Sequence, residues 1–259
     1  MSPPVAAPSG KLALVTGTSS GIGAAVARLL LEGSWTVVGV ARRAAQLDHP
    51  RYQHFALDLA DVATAVALLE KDVAPLLADR RWQRVALVNN AANVGPLVSL
   101  DQIDSLTLPQ LYTVNTVTPI WLMGFLLRTC PPRAAVRIVN VSSGAAVQAF
   151  AGLGAYSSSK AALRMAGMVL AAELDAPVRR RSNPTDVAVL SYEPGLVDTP
   201  MQTLARSQPA ESFPSAQMFH DFKAGNMLVP PDAPAAEIVA FLDADGHARF
   251  SERRFGVSA

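Results

Sequence analysis

The stretch Thr16-Gly17-Thr18-Ser19-Ser20-Gly21-Ile22-Gly23 decides how this chain folds. An apolar run over residues 11–16 leads into it, and residues 24–31 follow at once with helical spacing. Glycines let the backbone turn tightly without a Cβ in the way. The helix N-terminus beyond them presents free N–H groups and the positive end of its dipole. A glycine-rich turn can also end a strand for steric reasons alone, so the flanking strand and helix carry the weight. Together they read as a cradle for a pyrophosphate, with Gly17, Ser19, Ser20, Gly21, Ile22 and Gly23 as its candidate residues.

The same alternation continues outward from the turn. Valine- and leucine-rich runs over 11–16, 35–41, 52–57, 84–89, 136–141 and 186–192 are separated by segments with helical spacing at 21–32, 61–77, 108–128 and 155–174. Short, wholly apolar strands joined by helices form a parallel sheet covered on both sides. The expected fold is therefore α/β: a single-domain, Rossmann-type doubly wound parallel sheet over 11–259 with helices on both faces. Asp61 is placed to cap the second helix. Residues 199–234 break the rhythm with Pro, Ser, Met and Phe, and a long irregular stretch in a compact domain reads as a substrate lid.

Bulk composition excludes several partner classes. Half of the 259 residues are hydrophobic and 17% are charged, with a net charge of +1, so neither nucleic acid nor an anionic membrane is expected. The most apolar segment, 116–127, is too short to span a bilayer and contains Pro119 and Gly124. A loose tail is expected over 1–10, with no signal-peptide pattern. The single cysteine, Cys130, cannot form an internal disulfide, so the expected compartment is the cytoplasm. His49, His54, His220 and His247 show no ligand spacing, and no metal is expected. The sequon at Asn140 lies on an expected buried strand.

The second strand ends in Val40-Ala41-Arg42-Arg43. In such folds an acid at this point binds the ribose 2′-hydroxyl of NAD, whereas an arginine accommodates the 2′-phosphate of NADP. No acid is present. Arg42, with Arg43 as helper, is the expected phosphate contact, because guanidinium binds phosphate in a forked geometry.

Tyr156 and Lys160 stand four residues apart at the start of a helical segment, hence on one face. A neighbouring ammonium stabilises a phenolate and would lower the tyrosine pKa toward the working range. Ser143 follows the fifth strand, where loops at the carboxyl edge of a parallel sheet converge on a ligand.

These residues bring the sequence into line with the short-chain dehydrogenase/reductase family, which it resembles over nearly its whole length. The landmarks occur in order: Gly17, Gly21 and Gly23; Asp58; Asn89-Asn90-Ala91-Ala92; Asn115; Ser143; Tyr156 with Lys160; and Pro194-Gly195 followed by Thr199. The resemblance implies NADP(H) as cofactor and a division of labour. Tyr156 gives a proton to a carbonyl oxygen, Lys160 holds the nicotinamide ribose, Ser143 polarises the carbonyl, and Asn115 supports a water-linked proton path. Asp58 with Leu59 would lie near the adenine, Asn90 and Ala91 along the cofactor channel, and Pro194, Gly195, Val197 and Thr199 over the nicotinamide amide. Ser142 is the rival for the serine role. Ala92 departs from the usual glycine there and slightly crowds the channel. The family also implies a homodimer or homotetramer formed through the helices at 108–128 and 155–174.

Within the family, the runs 141–146, 193–202 and 222–228 resemble sepiapterin reductases and the related bacterial benzil reductases. That resemblance implies a small-molecule carbonyl substrate, one carbonyl of a vicinal dicarbonyl, either pterin or aryl diketone. Glu252 is a candidate anchor for a pterin, and Met201, Met218, Phe219 and Phe222 suit an apolar lid. Two other classes fit less of the sequence. Ser157 and Lys160 also satisfy Ser-x-x-Lys, but the partner motifs of that hydrolase class are absent. A silent NADP-sensing protein would have little reason to keep serine, tyrosine, lysine and asparagine together.

Overall fold

The computed structural model describes residues 10–176 and 184–257; most of the expected tail lies outside them. Seven strands, β1 (Lys11–Thr16), β2 (Thr36–Ala41), β3 (Tyr52–Ala56), β4 (Arg84–Asn89), β5 (Ala135–Val141), β6 (Val187–Glu193) and β7 (Phe250–Arg254), form one sheet in the order β3-β2-β1-β4-β5-β6-β7. Every neighbouring pair is parallel. The chain winds outward from β1 to one side, returns, and continues from β4 to the other. This Rossmann-type α/β fold opens a crevice at the carboxyl ends of β1 and β4, where the direction of winding reverses.

The apolar runs are unbroken because both faces of the sheet are covered. On one face Leu12, Leu14, Leu87, Ile138 and Val189 pack against helices α5 (Thr118–Thr129) and α6 (Gly154–Asp175). On the other, Ala13, Val15, Val88, Val139 and Leu190 pack against α1 (Gly21–Glu32) and α9 (Asp232–Asp243). Alternate residues of a strand thus serve opposite layers, each fully buried side chain contributing about 1.5 to 3 kcal/mol.

The segment expected at 61–77 begins as anticipated, with Asp61 Oδ1 accepting from the Thr64 N–H at 3.1 Å. It is then split into α2 (Val62–Leu68), a π turn (Leu69–Val73) and α3 (Ala74–Leu77). The helix expected at 108–128 is likewise α4 (Leu108–Tyr112), a π turn (Thr113–Val117) and α5. Residues 199–234, read as irregular, contain α7 (Pro200–Arg206) and α8 (Ala216–Ala224) and run into the start of α9. A third apolar cluster, with Phe213 fully buried and Phe219 packed on it, ties this segment to the N-terminal turn of α6. Strand β7 and helix α9 extend the fold beyond the elements expected from the sequence. Among the described residues no helix is long and apolar enough to cross a membrane.

Candidate active site

A cleft of about 1110 Å³ runs along the carboxyl edge of the sheet, from the β1–α1 turn to α7 and α8. Its phosphate end is built by backbone. Gly17 has φ +77°, and a Cβ there would stand 2.7 Å from Asn90 Nδ2; a Cβ on Gly23 would stand 2.4 Å from the Gly17 carbonyl oxygen. No side chain caps α1: Ser20 at its N-cap is extended and makes no side-chain bond to the first turn, so those N–H groups face the cleft unpaired. Asn90 buttresses the turn from behind, its Nδ2 donating to the Thr16 carbonyl oxygen at 2.9 Å. Thr16 Oγ1 accepts from the Asn90 and Ala91 N–H groups, each at 3.0 Å.

Arg42 and Arg43, at the end of β2, line the cleft and are exposed, with no ion pair or side-chain hydrogen bond among the described residues. Two unpaired guanidiniums, open helix N–H groups and no acid at the β2 terminus make a donor set that fits a phosphorylated dinucleotide. Asp58 and Leu59 line the same end. Asp58 Oδ1 accepts from the Ala60 N–H at 2.9 Å, so the carboxylate also shapes its own turn.

The reactive end is built by side chains from helix α6 and the loop after β5. Tyr156 and Lys160, on the first turns of α6, are both buried and both line the cleft. The Lys160 ammonium donates to the Val141 carbonyl oxygen at 2.7 Å and lies 5.8 Å from the centre of the Tyr156 ring. The loop after β5 brings up Ser143, whose Oγ accepts from the Ala145 N–H at 3.2 Å and keeps its own hydrogen free. Ser142 also lines the cleft but is 7% exposed, its N–H bound to the Tyr192 carbonyl oxygen.

The electrostatics differ from the sequence expectation. Burial pushes the Tyr156 phenol up to about 12, and the Ser143 hydroxyl works against that rise. Burial also pushes the Lys160 ammonium down to about 8. Desolvation, which disfavours whichever form is charged, outweighs the attraction between phenolate and ammonium expected from their spacing. The phenol therefore keeps its proton through the neutral range.

Asn115 and Gly23 are held outside the cleft lining. Asn115 sits fully buried in the π turn between α4 and α5. Its Nδ2 donates to the Asn93 carbonyl oxygen at 2.7 Å and to Ser159 Oγ at 3.0 Å, and its Oδ1 accepts from the Asn93 N–H at 2.7 Å. Ser159 Oγ in turn donates to the Tyr156 carbonyl oxygen at 2.7 Å. Asn115 thus braces both the cleft wall at Asn93 and the turn carrying Tyr156. Glu252, considered as a pterin anchor, is paired with Arg164 Nε at 2.5 Å on β7 and does not line the cleft.

Pro194, Gly195, Val197 and Thr199 also line the cleft, as do Ala91 and Ala92. Met201, Met218, Phe219 and Phe222 line the outer chamber as the sequence suggested. Among the lining residues that went unassigned are Glu193, Arg254, which pairs with it at 3.3 Å, and Gln202. Glu193 and Gln202 bracket the run 193–202, but nothing in sequence spacing says which of its side chains turn inward.

A dinucleotide-binding α/β fold with serine, tyrosine and lysine on one wall of its crevice defines a nicotinamide-dependent oxidoreductase. Residues 11–210 match the family model described as short chain dehydrogenase, and the chain belongs to that family. It is 29% identical to a benzil reductase ((S)-benzoin forming) of Bacillus cereus over 241 residues, 90% of this chain and 94% of that one. It is 32% identical to a sepiapterin reductase of Xenopus tropicalis over 256 residues, 91% and 92% of the two chains. A short chain dehydrogenase from Burkholderia cenocepacia, solved in complex with NADP, superposes with a TM-score of 0.73 at 25% identity, covering 96% of this chain and 97% of that one.

Proposed function

We propose that this protein is an NADPH-dependent carbonyl reductase acting on one carbonyl of a vicinal dicarbonyl. The observation that carries the reading is the convergence of Ser143, Tyr156 and Lys160 on one wall of a cleft whose far end holds the unpaired Arg42 and Arg43. The benzil reductases among its relatives support the dicarbonyl, and the sepiapterin reductases a ketone of a related kind.

Gly17, Ser19, Ser20, Gly21 and Ile22 would hold the coenzyme's pyrophosphate, shaped from behind by Gly23, and Arg42 with Arg43 its 2′-phosphate. Asp58 and Leu59 would lie at the adenine, and Asn90 and Ala91 along the channel. Tyr156 and Lys160 would hold the nicotinamide ribose, and Pro194, Gly195, Val197 and Thr199 the carboxamide. When bound, the coenzyme supplies the hydride. Ser143, its oxygen already engaged by the Ala145 N–H, donates its free hydrogen to the carbonyl oxygen. Tyr156 transfers its phenolic proton to that oxygen as negative charge develops there. A phenol held protonated by burial suits reduction, because an alkoxide is the stronger base and the transfer runs downhill. Lys160, fixed by the Val141 carbonyl oxygen, sits beside the phenolate left behind and stabilises it. Asn115 acts by position, holding the turn that carries Tyr156.

Residues 11–259 act as one catalytic domain, and residues 199–234 as a lid whose Met201, Phe219 and Phe222 exclude water from the reacting carbonyl. Exposed Val117 and Ile120 on the α4–α5 helical segment and Met165 and Val169 on α6 support assembly into a homodimer or homotetramer through those helices. The working compartment is the cytoplasm, in keeping with the single, buried Cys130.

The direct test follows coenzyme fluorescence in the presence of benzil and of sepiapterin, with NADPH and NADH in parallel. Consumption of NADPH in preference to NADH, with at least one of the two substrates, is expected. No consumption with either, or a preference for NADH, would contradict the reading.

A further inference from the structure

The phosphate turn is held by side chains from two strands. From the end of β4, Asn90 Nδ2 donates to the Thr16 carbonyl oxygen at 2.9 Å. From β3, the hydroxyl of Tyr52 lies 3.0 Å from Thr18 Oγ1. Thr18 is fully buried and, alone among residues 17–22, does not line the cleft; its hydroxyl is committed to β3. Among the described residues this is the one side-chain hydrogen bond made by Thr18, Ser19 or Ser20.

To reach Thr18, the Tyr52 ring must cross β2, which lies between β3 and β1. Gly39, the β2 residue in register with His54, leaves the space: a Cβ there would stand 2.7 Å from Tyr52 Cε2 and Cζ. Glycine weakens a strand interior, and it is found where another group approaches the backbone closely. Within the buried run Val37-Val38-Gly39-Val40 it has that use. His54, two residues from Tyr52 and on the same face of β3, holds the phenol from its other side, with Nδ1 3.2 Å from the phenolic oxygen. Burial raises the Tyr52 phenol above its ordinary value, so the hydroxyl keeps its hydrogen and donates to one neighbour while accepting from the other.

We infer that Tyr52 is a positioning residue for the coenzyme, tying Thr18 to β3 and so fixing the adjoining backbone of Gly17, Ser19 and Ser20 on which the pyrophosphate would rest. The inference rests on the dinucleotide reading of that turn and deepens it. A pyrophosphate is common to NADPH and NADH, so Tyr52 acts on both alike, whereas Arg42 would distinguish them.

The test measures dissociation constants for both coenzymes by fluorescence titration, with melting temperatures in parallel. Tyr52→Phe keeps the ring and removes its hydroxyl; Thr18→Val keeps the shape of the other partner and removes its hydroxyl. Each should weaken NADPH and NADH by the same factor, about 3- to 10-fold, as fits loss of one neutral hydrogen bond. The double variant should lose no more than either single one, because both remove the same bond. Thr18→Ser, which restores the hydroxyl, should stay within about 2-fold of the parent. Unmoved affinities in Tyr52→Phe overturn the assignment, whether or not the melting temperature falls, since a merely structural bond would change stability alone. A loss confined to NADPH overturns it, as do additive losses in the double variant or a Thr18→Ser as weak as Thr18→Val. A parent that binds both coenzymes, with variants unchanged, overturns this assignment alone. A parent that binds neither overturns the dinucleotide reading and this assignment with it.

Discussion

The two ends of the cleft are built on opposite principles. At the β1–α1 turn the surface is backbone: glycines, free helix N–H groups and a buttressing Asn90, all within a few residues of one another except the last. At the other end it is side chain: Tyr156 from α6, Ser143 from the β5 loop, and Met201 and Phe219 from the segment after β6. Backbone surfaces leave no room for variation, because any added atom meets main chain. Side-chain surfaces can change size and polarity while the fold persists. One end therefore sets which coenzyme class binds, and the other is free to choose a substrate.

The sharpest way to break that contrast is to put a side chain where the backbone must be bare. Gly23→Val would set a Cβ 2.4 Å from the Gly17 carbonyl oxygen, forcing the turn open. Affinity for NADPH and NADH alike should fall about 100-fold or more, read by fluorescence titration, with a lower melting temperature. Retained affinity would mean that the turn is not the phosphate site. A smaller effect is expected from Arg42→Ala. It should raise KM for NADPH about 10- to 100-fold and leave NADH nearly unaffected, as fits loss of one charge-assisted bond. Equal effects on both coenzymes would remove the 2′-phosphate assignment.

The smallest effect concerns stability at the reactive end. Burial holds the Lys160 ammonium near 8, against about 10.5 for an ordinary lysine. Between those values the unfolded chain binds a proton that the native chain does not, so stability rises with pH across the window. Below it the buried charge weighs against folding in full. Lys160→Met should therefore gain stability over the parent at pH 7, even after losing the bond to the Val141 carbonyl oxygen. That gain should shrink by on the order of 1 to 2 kcal/mol as pH rises from about 8 to about 10. Thermal melts of both proteins across that range check it; a gain that grows with pH would show that the lysine is not desolvated.

The same division explains what could be read in advance. The β1–α1 unit and β4 were legible residue for residue, because local signals suffice there: an apolar run, a glycine turn, a helical period. Tyr156 and Lys160 were legible through spacing, and Ser143 through its place after β5 and the family resemblance; the structure brings all three to the cleft. β7 was not, since Phe250-Ser251-Glu252-Arg253-Arg254 is an edge strand with a charged, exposed end and no apolar run. α9 hid behind Pro230-Pro231, although Ile238, Phe241 and Leu242 carry a helical stripe. The π turns left no sequence mark. With the one at 113–117 went the knowledge that Asn115 would be held by Asn93 and Ser159. The tyrosine's raised pKa was also out of reach: spacing shows which residues are near one another, but not how completely water is excluded from them.

The central claim is that the buried, protonated phenol of Tyr156 delivers the proton. Tyr156→Phe keeps the ring and its packing while deleting only the acid. Single-turnover oxidation of bound NADPH by a dicarbonyl, with coenzyme affinity titrated in parallel, tests it most directly. Turnover should fall about 100- to 10,000-fold, the range attributed to general acid catalysis, with NADPH still bound. Turnover near the parent rate in a folded, coenzyme-loaded variant would contradict the account.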